Sequence, residues 1–78
     1  MAVDLGRLRW HCRRGMRELD VLLERWLDQE AGAATPEELG RFEALLALQD
    51  PELVSYLLAG MPHPEPAFRP LIERIRGV

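Results

Sequence analysis

Apolar residues in this chain recur at helical spacing, and glycine or proline cuts each run short. Leu5, Leu8 and Cys12 fall at i, i+3 and i+7, one stripe of a helix. Met16, Leu19, Leu23, Trp26 and Leu27 form a second stripe, and Leu39, Phe42, Leu45 and Leu46 a third. Leu53, Val54, Leu57 and Leu58 supply a short fourth face, and Phe68, Leu71, Ile72 and Ile75 a last one. No segment alternates as a half-buried strand does, and there is no Asn-Gly hairpin signal. The pattern predicts an all-α fold: a compact bundle of four to five short helices, with residues 1–78 as one domain.

The punctuation sets the expected boundaries. Asp4 is a good N-cap for a first helix reaching about Arg13. A second runs from about Met16 to Glu30. Gly15 lies between them, where a left-handed residue suits a helix end. Ala31-Gly32-Ala33-Ala34 reads as a small flexible loop. Thr35 and Glu38 make a capping box with Pro36 at the first helical position. Asp50-Pro51-Glu52 repeats that start, with Asp50 as the cap. Gly60 is a stop. Three prolines in Met61-Pro62-His63-Pro64-Glu65-Pro66 predict an extended connector. A final helix starts near Ala67 or Phe68, with Pro70 in its first turn.

Composition narrows the function classes. Apolar residues make up 47% and charged residues 29%, a globular rather than a disordered balance. A chain of 78 residues buries only roughly 60% of its unfolded surface, leaving little room for a deep enclosed site. The net charge is −3, but it is unevenly spread. Residues 1–17 hold five arginines against Asp4, and residues 18–60 hold two against ten acids. A basic end on an acidic body suggests oriented docking to a partner, and the acidic body would repel a long polyanion. Nucleic acid is therefore not expected as a partner. Cys12 is the only cysteine, which fits a reducing compartment. No apolar run approaches the 18 residues of a membrane span, and the N-terminal stretch lacks a secretory core. The expected setting is cytoplasmic, without membrane insertion.

Catalysis finds little support. His11 and His63 sit in different contexts, Cys12 lies on an apolar stripe, and there is no phosphate loop or nucleophile elbow. Neither a metal nor a bound cofactor is expected. The stretch that a core helix does not need is Trp10 to Glu18. Arg13, Arg14 and Arg17 surround Gly15, and Glu18 follows Arg14 by four residues. Arginine forks match carboxylates, and a glycine leaves room for a partner's backbone, so this is a candidate docking surface. The plainer reading is a solvated Arg14–Glu18 pair worth a few tenths of a kcal/mol beside a helix-ending glycine. Trp10 and Tyr56 both fall off the apolar stripes and are further candidates for partner contact or for a dimer. A monomer is the expected state.

The run from Trp10 to Asp20, with Arg14, Gly15 and Glu18 as Arg-Gly-x-x-Glu, resembles the signature of the SdhE (YgfY-type) flavinylation factors. These are bacterial relatives of the mitochondrial succinate dehydrogenase assembly factor. A second block follows in order: Phe42, Leu45-Leu46, Asp50-Pro51-Glu52-Leu53 and Tyr56-Leu57. Many members carry Trp where Tyr56 stands and a Phe pair where Trp26-Leu27 stands. The resemblance covers about residues 7 to 60. It implies a helical, non-enzymatic assembly factor that binds the flavoprotein subunit of succinate dehydrogenase, with fumarate reductase a further client. The factor promotes covalent attachment of FAD to that subunit; this chain shows no dinucleotide fingerprint, so it is not expected to hold FAD itself. It also implies partner-binding roles for Arg14, Gly15 and Glu18, with Arg13, Arg17, Trp10, Asp50 and Tyr56 beside them in the matching blocks. Some relatives have been described as CptB-type antitoxins, which gives the alternative reading. A small nucleic-acid-binding regulator is a third.

Overall fold

The computed structural model describes residues 4–77. Its elements are α1 (Leu5–His11), α2 (Arg17–Gln29), α3 (Pro36–Leu46), α4 (Asp50–Leu53) and α5 (Arg69–Arg76). A π-helical turn, Val54–Leu58, continues α4 without a break, and 3₁₀ turns at Ala31–Ala33 and Pro66–Phe68 precede α3 and α5. There is no strand among the described residues. The radius of gyration is 11.4 Å, against about 11.5 Å for a compact chain of this length.

The helix starts follow the expected chemistry. The Asp4 carboxylate accepts from the Arg7 N–H at 3.2 Å. Thr35 and Glu38 form the full capping box, with Pro36 opening α3. The Glu38 carboxyl is held below its ordinary value, first by the Thr35 backbone N–H and then by Arg74. Gly60 and Gly77 take left-handed backbones, at φ +75° and +83°, just past the π turn and α5. Three boundaries differ from expectation. Helix α1 stops at His11, short of Arg13, and α2 begins after Met16, which serves as its N-cap. The Ala31–Ala34 segment is wound as a 3₁₀ turn with Ala31 buried, because α2 and α3 need a tight reversal there.

The core is one cluster to which every helix contributes. Leu8 and Cys12, Leu19, Leu23, Trp26 and Leu27 of α2, and Phe42 and Leu45 of α3 all belong to it. Trp26 stacks on Phe42 with ring centroids 4.4 Å apart. Leu53 and Leu57 join the same cluster beside Leu71, Ile72 and Ile75 of α5, which packs on the π turn. Leu5 and Met16, assigned to buried stripes by their spacing, are exposed at the mouths of α1 and α2. Arg25 reaches from α2 to donate to the Ile75 carbonyl at 2.6 Å, capping α5 with a cation where its dipole is negative.

The π turn is the one departure in helix type. The Ala59 N–H donates to the Val54 carbonyl at 2.9 Å, one residue further back than in an α-helix. Within the turn, the Ser55 hydroxyl donates back to the Pro51 carbonyl at 3.1 Å, a bond that competes with the helical ladder. One residue is thereby added to the turn. Leu57 is buried, but Leu58, expected to share its face, is only half-buried.

Candidate functional site

Between α1 and α2 the chain needs a sharp reversal, and residues 12–16 make it. Gly15 sits at φ +78°, a conformation that costs a residue with a Cβ roughly 1–2 kcal/mol. A Cβ built there would meet nothing within 4 Å, so the glycine backbone faces open space. The reversal also explains why Arg14 and Glu18 do not form a helical pair. Arg14 precedes α2, and a left-handed residue turns it away from the first turn.

Arg14 points inward instead. Its Nε donates to Asp50 Oδ1 at 2.9 Å, Nη1 to the Leu46 carbonyl at 2.7 Å, and Nη2 to the Leu48 carbonyl at 2.5 Å. Leu46 ends α3, where carbonyl groups lack helical partners, so the guanidinium satisfies groups left bare by the fold. The side chain is only 15% exposed. Its backbone N–H donates to Asp20 Oδ1 at 2.8 Å. With a longer bond from Nη1 to the His11 carbonyl at 3.5 Å, two carboxylates and three carbonyls therefore fix the residue preceding Gly15. Asp50, expected to cap α4, does not do so. Gln49 takes the N-cap position without a side-chain bond, and the Asp50 carboxylate is engaged by Arg14.

The other candidate residues divide into three places. Trp10, Arg13, Arg14 and Asp50 line an open cleft of about 400 Å³ with His11. Trp10 is 73% exposed and lies edge-on to the His11 ring. Arg13 reaches Glu24 at 3.7 Å, a solvent-screened pair of little energetic weight. Arg17 and Glu18 lie beyond Gly15, on the rim of a second depression of about 520 Å³ with Val21, Leu22 and Leu58. Both are exposed, and neither makes an ion pair or side-chain hydrogen bond among the described residues. Tyr56 belongs to neither group. Its ring packs against His63, with centroids 4.9 Å apart, and His63 stacks in turn on Phe68 at 4.4 Å. The structure thus brings seven of the eight candidates around one loop and leaves Tyr56 holding the proline-rich connector.

Sequence reasoning did not single out Asp20, Val21, Leu22 or Leu58. Asp20 had one signal, an acid early in a helix that follows an arginine-rich loop. Leu58 had none, since its exposure depends on the π turn. Among the described residues no group of three or more His, Cys, Asp and Glu could hold a metal ion, and no helix is long and apolar enough to cross a membrane. Cys12 is fully buried; that burial, with Glu24 nearby, pushes its thiol up to about 11. It is a packing residue rather than a nucleophile.

Comparison with known proteins gives a consistent picture. The chain is 35% identical over 75 residues to the FAD assembly factor SdhE of Shewanella oneidensis, covering 96% of this chain and 92% of that protein. It is 40% identical over 74 residues to that of Legionella pneumophila, covering 95% and 92%. The Coxiella burnetii protein of the same name is 39% identical over 70 residues, covering 90% and 85%. No solved structure matches at the same standard. Residues 6–78, including the Gly15 loop, the Arg14 clasp and the helices that hold them, match the family described as flavinator of succinate dehydrogenase, and the chain belongs to that family.

Proposed function

We propose that this protein is an FAD assembly factor that docks on the flavoprotein subunit of succinate dehydrogenase and promotes covalent attachment of FAD to it. The observation that carries the docking surface is Gly15: a left-handed glycine, open to solvent, in a loop anchored by the partly buried Arg14 guanidinium. Such a loop is rigid before binding, so a partner's backbone can approach it with little ordering cost. Exposed Trp10 and Arg13 on one side, and Arg17 and Glu18 on the other, supply an aromatic anchor and charges of both signs.

The protein's contribution is selective binding. A factor with higher affinity for the flavoprotein conformation that encloses FAD and orients the acceptor side chain raises the population of that conformation. FAD supplies its own reactive ring. This chain holds the client and performs no bond-making step, which makes it a chaperone-like factor acting in the cytoplasm. Fumarate reductase is a second client on this reading.

The test is covalent flavin in the denatured flavoprotein subunit, read by in-gel fluorescence after co-expression in a host lacking its own factor. Lanes carry no factor, the wild type or Gly15→Asn. Asparagine tolerates the left-handed backbone yet adds bulk where the partner must approach. A band restored by the wild type and lost with Gly15→Asn is the expected result. Equal bands in all lanes would remove the assembly role.

A further inference from the structure

The depression beyond Gly15 is not explained by the fold. Its floor is apolar, formed by Val21 and Leu22 of α2 and by Leu58 of the π turn. Val21 is 55% exposed, and Leu22 and Leu58 are half-buried. Leu58 stands there because of the added residue in the π turn, a helix distortion that recurs at functional sites. Arg17 and Glu18 line the same hollow, with opposite charges that have no partner among the described residues. Gly15 lies two residues before Arg17, so the apolar hollow continues directly from the open loop.

We infer that this hollow receives an apolar side chain of the flavoprotein client, flanked on the client by a carboxylate that reaches Arg17 and a basic or amide group that reaches Glu18. The inference rests on the reading of the protein as an assembly factor and adds the chemistry of the contact. A second copy of this chain is a poorer occupant. Extending a two-fold contact over the loop would set the exposed arginines of α1 and its loop against their own copies, and like charges there repel. The acidic and apolar surface of a different protein has no such penalty.

The experiment titrates purified apo-flavoprotein subunit with wild type, Val21→Asp, Val21→Leu and Gly15→Asn. Thermal melts establish that each is folded, which the exposure of Val21 makes straightforward. The expected result is a Kd at least tenfold weaker for Val21→Asp, with Val21→Leu within about twofold of wild type. Val21→Asp binding like the wild type, while Gly15→Asn is weakened, would overturn the hollow and leave the assembly role standing. A wild type that does not bind the subunit would overturn both. If sedimentation shows a wild-type dimer that Val21→Asp splits, with client binding unchanged, the occupant is a second copy and the inference fails.

Discussion

The Arg14 guanidinium and the Asp50 carboxylate lie 2.9 Å apart across 36 residues of chain. The same guanidinium also takes the carbonyls of Leu46 and Leu48. One side chain therefore joins the α1–α2 loop, the end of α3 and the start of α4. It is the means by which the fold shapes the surface around Gly15.

Removing that side chain leaves partly buried acceptors without a donor. Arg14→Ala is expected to lower unfolding free energy by about 2–3 kcal/mol in a urea titration, with the slope unchanged. Arg14→Lys should recover less than half, because an ammonium cannot span three acceptors in one plane. Asp50→Asn should cost about 1 kcal/mol or less, since its side chain is 42% exposed.

Gly15 separates strain from docking. Gly15→Ala places a Cβ on a left-handed backbone and should cost about 1 kcal/mol in stability, while Gly15→Asn should cost less. If bulk at this position blocks the client, both variants lose flavinylation, although their stabilities differ. Activity that instead followed stability would assign the glycine a purely conformational role.

How much of this was legible in the sequence depends on the range of the interaction. Local signals were sufficient for the Thr35–Glu38 box, the Gly60 stop and five helical stripes. The left-handed Gly15 also followed from its place between two stripes. The partners of Arg14 did not, because proximity in sequence favoured Glu18, and the true partners lie in α4 and at the end of α3. Asp50 was misread for a related reason: an Asp-Pro start looks like a cap whether or not a distant arginine claims the carboxylate. Leu58 shows the limit of periodicity, since one added residue in a turn moves a side chain off the face that 3.6-residue spacing assigns. Tyr56 was placed with the docking residues by motif spacing, and only the fold shows its ring against His63.

Cys12 offers a chemical test of the core. Its thiol is pushed up to about 11 by burial. At pH 8 the native protein should therefore react with an alkylating reagent about a hundredfold more slowly than the unfolded chain, from thiolate fraction alone. The sign for stability follows. The folded state keeps the proton longer than the unfolded state. Stability is complete below the unfolded thiol's range and falls as pH rises toward 11. Cys12→Ala should remove that alkaline slope.

Glu38 gives the opposite sign at the acid end. Its folded carboxyl lies below the ordinary 4.5, so its contribution is present above that value and is lost as pH falls through the folded range. Comparing Glu38→Gln with the wild type in melts between pH 3 and 6 should show a shallower acid slope for the variant. Thr35→Ala, which removes the reciprocal cap, should cost about 1 kcal/mol at neutral pH.

The clasp on Arg14 also bears on how the Arg-Gly-x-x-Glu segment could be imitated. A synthetic peptide spanning Trp10 to Asp20 would carry the letters of the motif and Asp20, but not Leu46, Leu48 or Asp50. Its arginine would be free to pair elsewhere, and its glycine would sample many backbones. Such a peptide should make a poor competitor for the client, whereas a graft onto another helical scaffold would have to bring the α3–α4 corner with it. On the docking reading, the recognition element is a piece of tertiary structure rather than a linear epitope.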